Sequence, residues 1–230
     1  MKYYNEYQDE RTINGSCIYC NAEPTTVDHI PAKVFLKRPY PKNLYVVPAC
    51  KECNNKFSKD EQFLAFFIDY LIMLEAPNSE EIMERIQVRY KNYASMEARI
   101  QDRLSYDENG QISISLENDR IVNIIKKFAL CHIQYETGTK FYNPPSQITY
   151  RFRPQMSPQM LYEFNNPVSD NIFPEIGCRL FQRICENKTN LWLIVQGGSY
   201  RYYVNAGSIV FVRFVIKEML FCEVIWDDIT

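Results

Sequence analysis

Two textures of apolar and polar residues meet near residue 138. Before it, the apolar positions recur at helical spacings. Phe63, Phe66, Phe67, Tyr70, Leu71 and Leu74 lie nearly all round a helical wheel, broken by Asp69, the mark of a helix buried on every side. Ser58-Lys59-Asp60-Glu61 fits a capping box, which predicts that this helix starts at Lys59 and runs to about Glu75, ahead of Pro77. Ile82, Ile86, Tyr93, Ile100 and Leu104 are separated by near multiples of three and four, predicting one longer amphipathic helix over residues 80–104 behind a Ser79 cap. Ser105 to Gly110 reads as a polar turn, Gln111 to Leu116 as a short alternating strand, and Asp119 to Glu136 as a helix with Ile121, Ile124, Ile125, Phe128 and Tyr135 inward.

After Gly138 the pattern shortens to β-like pieces: Ile148 to Arg153, Leu191 to Val195, Tyr200 to Val204, Ser208 to Lys217 and Leu220 to Trp226. Gln196-Gly197-Gly198-Ser199 is a hairpin turn between two of them. An antiparallel sheet packed on the helices follows, an α+β fold.

Residues 1–16 form a polar, tyrosine-rich leader that ends in an Asn14-Gly15-Ser16 turn. Thr25 to Ile30 has the β-branched content of a short strand closed by Pro31, and Asn43 to Val47 reads as the returning strand. Pro48 is expected to turn the chain, and Cys50 to Phe57 to form a short helix. The chain thus divides into a head, residues 1–60, and an α+β body of unknown role, residues 61–230.

With 46% hydrophobic residues the chain can bury a sizeable core. Its most apolar run, the 12 residues from Phe63 to Leu74, is well short of the roughly 20 of a membrane helix, and the polar start is unlike a signal peptide. Four of the eight cysteines stand as two tight pairs and the rest are scattered among apolar residues, which fits a reducing cytoplasm. The net charge of -2 gives no global pull towards nucleic acid, yet residues 17–60 carry seven bases against four acids. A polyanion is locally welcome there.

Cys17-x-x-Cys20 and Cys50-x-x-Cys53 have the spacing that lets both sulfurs of a knuckle reach one zinc ion, and two knuckles make a closed, structural four-thiolate site. The 29 residues between Cys20 and Cys50 exceed the roughly 15–20 of a zinc ribbon and must hold structure of their own. Folding one knuckle on the other brings Asn54 towards Asp28 and His29. A carboxylate oxygen from Asp28 and an amide oxygen from Asn54 suit magnesium or manganese, leaving His29 as a general base. The alternative for His29 is a hydrogen-bonded surface histidine. His132 reads as a core or interface residue. Cys178 and Cys185 read as packing, and so do Trp192, Tyr200, Tyr202, Tyr203 and Trp226, whose other use is base stacking.

Cys17-x-x-Cys20, Asp28-His29-Ile30-x-x-Lys33, Asn43-Leu44, Cys50-x-x-Cys53-Asn54 and Lys56 together resemble the HNH endonuclease (His-Me finger) family, over residues 17 to about 60. That family's core is a β-hairpin and a helix around a catalytic metal, often braced by a four-cysteine zinc. The resemblance implies a zinc-braced ββα-metal head in which His29 is the general base, Asp28 and Asn54 ligate the metal and Asn43 orders the loop. Asn54 stands where many members have His. It further implies hydrolysis of phosphodiester bonds, DNA in the first instance, in a bacterial or phage cytoplasm. Lys33, Lys37, Arg38, Lys42 and Lys56 are then candidates for holding the nucleic-acid backbone. Two rivals stand beside this expectation: a zinc-stabilised nucleic-acid-binding module that does not cleave, and an effector nuclease that acts only with a partner. A protein partner or self-association through the body belongs with the second, and no membrane partner is expected.

Overall fold

The structure is a computed structural model that describes residues 15–42, 44–75, 80–90, 93–101, 103–106, 108, 112–114, 118–168, 174–186 and 192–227. The leader up to Asn14, together with Asn43, Ser79, Gln111 and Leu116, lies outside the described residues.

The chain is α+β, with three antiparallel sheets among the described residues and helices between them. Strand β1 (Thr26–Ile30) pairs with β2 (Tyr45–Ala49). A 3₁₀ turn at Lys33–Phe35 lies between them, and helix α1 (Lys51–Glu75) follows directly. Helices α2 (Glu80–Arg89) and α3 (Tyr93–Gln101) lead to a small hairpin of β3 (Leu104–Tyr106) and β4 (Ile112–Ile114). Helix α4 (Asn118–Thr137) then crosses the molecule. The C-terminal sheet holds β5 (Gln147–Phe152), β6 (Leu193–Gln196), β7 (Tyr200–Ala206), β8 (Val210–Ile216) and β9 (Leu220–Trp226) in the order β5-β9-β8-β7-β6. Helices α5 (Pro158–Asn165) and α6 (Arg179–Cys185) lie between β5 and β6.

Three expectations are corrected. The two helices expected over 50–57 and 59–75 are one continuous helix, α1, and Ser58 is an exposed residue in its interior. Continuity wins because it carries Phe57, Asp60 and Glu61 to fixed partners: Phe57 packs on Tyr19 at 5.2 Å, Asp60 pairs with Arg120 at 2.7 Å and Glu61 pairs with Lys127. These tertiary contacts outweigh the propensity of a serine to cap. Second, the single helix expected over 80–104 is two, and Leu104–Tyr106 is a strand. A lone strand at 112–114 has backbone groups to satisfy, and Leu104–Tyr106 satisfies them. Third, Pro48 does not turn the chain: it lies within β2 opposite Val27, where a two-stranded ribbon tolerates its missing donor. Its carbonyl accepts from Ile18 N at 3.0 Å.

The main core gathers both ends of the chain. Phe35 and Leu44 from the β1–β2 connection, Phe63 to Phe67 from α1, and Ile124, Phe128 and Ile133 from α4 pack with Tyr200, Tyr202, Phe214, Cys222 and Trp226 of the sheet. A second cluster joins Ile18, Ile30 and Val47 to Cys131 and Tyr135 of α4. Helix α4 therefore serves both, and Tyr135 stacks on Tyr45 at 4.3 Å. Beneath the sheet Met156, Val215 and Phe221 form a third cluster with residues of α5. Tyr200, Tyr202, Tyr203 and Trp226 are buried, as their reading as core requires, whereas Cys185, read as packing, is exposed at the end of α6.

His132 is fully buried, its Nε2 2.8 Å from Tyr200 Oη and its ring stacked on Tyr202 at 3.8 Å. Burial, helped by the charge of Arg183, holds its pKa well below the usual 6.5. The folded protein therefore keeps this imidazole neutral, and the unfolded chain takes up the proton first as pH falls. That contribution to stability is complete above about pH 6.5 and is lost at up to about 1.4 kcal/mol per unit below it. His132→Gln should flatten the decline between pH 7.5 and 5.5 in urea unfolding of the metal-loaded protein. An unchanged slope removes His132 as its source.

Candidate functional site

The four paired cysteines meet where β2 passes into α1. Their sulfurs lie within 4.8 Å of one another, and Cys20 Sγ is 3.7 Å from Cys50 Sγ. That matches the edge of a tetrahedron with metal–sulfur bonds of about 2.3 Å. In the first knuckle Cys17 N donates to Ala22 O at 2.8 Å, and Asn21 closes the turn at φ 64°, a conformation asparagine tolerates better than most residues. In the second, Cys53 N points at Cys50 Sγ at 3.4 Å, and Thr25 Oγ1 accepts from Lys51 N at 3.1 Å, capping α1 from a neighbouring segment. Burial disfavours the Cys17 thiolate, but backbone donors from Cys50, Tyr19 and Cys20 prevail and lower its pKa to about 7. Lys140 Nζ donates to Cys17 O at 2.6 Å, to Ser16 Oγ at 3.0 Å and to Asn21 Oδ1, bracing the first knuckle with a positive charge. The cluster can hold a metal ion, and four sulfurs closed on themselves suit zinc.

Next to this centre the hairpin carries Asp28 and His29 on β1. As consecutive strand residues they point to opposite sides. Asp28 faces inward, 5% exposed, as does Ile30, while His29 shares the other side with the exposed Val27. Burial and the nearby Lys33 lower the His29 pKa below 6.5 against a smaller opposing pull from Asp28, so the imidazole is neutral at pH 7. In the first turn of α1, Asn54 Nδ2 donates to Val27 O at 3.2 Å, tying the helix to the strand that bears both residues.

Sequence reasoning missed what holds Asp28. Lys127 of α4 is 1% exposed and lies 2.7 Å from Asp28 Oδ2, and it pairs also with Glu61 of α1. Tyr19 Oη donates to the same Asp28 oxygen at 2.7 Å and lies 3.1 Å from Cys131 Sγ. Burial works against the Lys127 charge, yet Asp28 and Glu61 outweigh it and raise its pKa, whereas burial pushes the Cys131 thiol up to about 12. One ammonium thus ties β1, α1 and α4 together. A trace of this was present: Lys127 stands three residues after Ile124 and four before Cys131, a charge on the stripe that the helical period reserves for apolar residues. Lys127→Met should lose about 3–5 kcal/mol in urea unfolding, because it leaves the buried carboxylate of Asp28 and the partly buried one of Glu61 without this cation. A loss under about 1 kcal/mol, the scale of surface pairs, sinks this role.

The basic candidates divide between two places. Lys33, Lys37, Arg38 and Lys42 lie on the β1–β2 connection, with Lys33 and Arg38 over the Tyr40 ring at 5.8 and 5.7 Å. Gln196 fixes this loop from the sheet, accepting from Lys37 N at 2.8 Å and donating to Lys37 O at 2.9 Å. Lys56 is elsewhere, in the wall of a cavity of about 440 Å³ beside Cys20 and Cys53. Among the described residues no helix is long and apolar enough to cross a membrane.

Compared with known proteins, the chain matches no family model, no curated protein and no solved structure. Fold and site by themselves therefore define an α+β protein with a four-cysteine cluster, able to hold a metal ion, at a strand–helix junction.

Proposed function

We propose that the protein is an HNH endonuclease, hydrolysing phosphodiester bonds, DNA in the first instance, with His29 as general base. The observation that carries this reading is the hydrogen bond from Asn54 to Val27 O. Through it a two-stranded ribbon and the helix after it hold Asp28, His29 and Asn54 about one backbone segment. The donor set fits a divalent ion of the magnesium or manganese kind. Asn54 commits its nitrogen to Val27 and so keeps its amide oxygen, while Asp28 commits Oδ2 to Lys127 and Tyr19 and its Oδ1 takes no partner among the described residues. When bound, such an ion supplies positive charge to the scissile phosphate and the departing oxygen. The chain's own part is to hold His29 neutral, so that it removes a proton from the attacking water, and to hold the backbone with the lysines and arginine of the β1–β2 connection.

The burial of Asp28 against Lys127 favours a second reading, a zinc-stabilised nucleic-acid-binding module in which that carboxylate is structural. Incubation of zinc-loaded protein with supercoiled plasmid, in magnesium or manganese against excess EDTA, separates the two. Metal-dependent nicking or linearisation supports the nuclease. Binding without cleavage in either metal supports the module.

A further inference from the structure

The cavity of about 440 Å³ lies on the Asp28 side of the hairpin, between the first knuckle, α1, α4 and the segment after α4. Four lysines line it: Lys56, Lys126, Lys127 and Lys140. Lys127 is neutralised by Asp28 and Glu61, and Asp60, the wall's one acid among the described residues, by Arg120. Lys56 and Lys126 have no carboxylate partner among the described residues, while the three N–H groups of Lys140 are taken by Ser16 Oγ, Cys17 O and Asn21 Oδ1. The two unpaired ammonium groups of Lys56 and Lys126, with the charge of Lys140 beside them, form a site for a polyanionic group. The volume, within the usual range of ligand pockets, is far more than one phosphate fills. The remaining wall suits a ring system. Tyr142 stands 73% exposed with Lys140 over its ring at 5.9 Å, and the amides of Asn123 and Asn143 take no hydrogen-bond partner among the described residues. An aromatic face with unused donor–acceptor amides can stack on and read the edge of a base.

We infer that this cavity binds a nucleotide, its phosphate on Lys56 and Lys126 and its base against Tyr142, Asn123 and Asn143, with Lys140 adding charge but no hydrogen bond. The same chemistry is offered by a free nucleoside monophosphate and by the phosphorylated end of a strand. The site is separate from His29 and does not rest on the chain being a nuclease. The structural alternative is that the lysines only offset the charge of the thiolates beside them.

Zinc-loaded full-length protein would be titrated calorimetrically with adenosine and thymidine 5′-monophosphates, inorganic phosphate, thymidine, and a 5′-phosphorylated octathymidylate. A monophosphate or the oligonucleotide should bind about tenfold or more tightly than phosphate or nucleoside alone, and His29→Ala should leave this unchanged. Tighter binding of the oligonucleotide identifies a strand end as the source, and tighter binding of the mononucleotide a free one. Lys126→Gln should weaken nucleotide binding about tenfold with zinc content and circular dichroism unchanged, while Tyr142→Ala should weaken nucleotide but not phosphate. Absence of nucleotide and oligonucleotide binding, or affinities unmoved by both Lys126→Gln and Lys56→Gln, overturns the assignment. Because His29→Ala is predicted to be silent here, failure of this site and failure of the cleavage reading are read out separately.

Discussion

Cys50→Ala, or chelation of the metal, should unfold the hairpin and the first turns of α1. Four-thiolate zinc contributes roughly 10 kcal/mol or more in small modules, and the ribbon it braces has only five residue pairs of its own. The loss should not stop at the knuckles. Thr25 caps α1 and Ile18 bonds to Pro48, so a metal held by the four cysteines would fix the strand on which Asp28 meets Lys127. Hydrogen exchange of the metal-free protein should show protection lost over β1, β2 and the start of α1, and retained in β7 to β9. Uniform protection in metal-free and zinc-loaded protein would mean that the cysteine cluster is incidental to the fold.

On the proposed nuclease reading, His29→Ala should lower the cleavage rate by about 10²–10⁴-fold, the range a positioned general base supplies. Folding should change little, because the side chain is only half-buried and lies on the side of β1 away from the second cluster, which holds Ile30. Comparing initial rates of plasmid nicking at saturating metal, with unfolding midpoints in parallel, separates a chemical defect from an unfolded head. Wild-type rates in the variant rule out His29 as the base. Loss of cleavage together with loss of folding gives it a structural role instead.

Much of this architecture was legible in the sequence where a local pattern and a tertiary need agreed. The hairpin turn at Gln196–Ser199, helix α4 and the paired cysteines needed only short-range spacing, and each stands where spacing put it. The reading failed where distant partners decided. Ser58 carries every local mark of a helix start, and only Tyr19, Arg120 and Lys127 explain why the helix runs through it. Asp28 illustrates the same limit at the site. Its position in the motif was readable, but its burial under a lysine 99 residues further on was not, since no sequence rule pairs those positions.

The uninterrupted course of α1 bears on how the protein can be taken apart. Twenty-five residues span about 37 Å in one rod, from the cysteine cluster into the core. A rod has no joint, so the cysteine-bearing end cannot be excised at residue 60 as a transferable cassette: the cut would fall between Asp60 and Glu61, the residues that lock it to α4. Any donor fragment meant to retain the ribbon would have to carry α4 along with it.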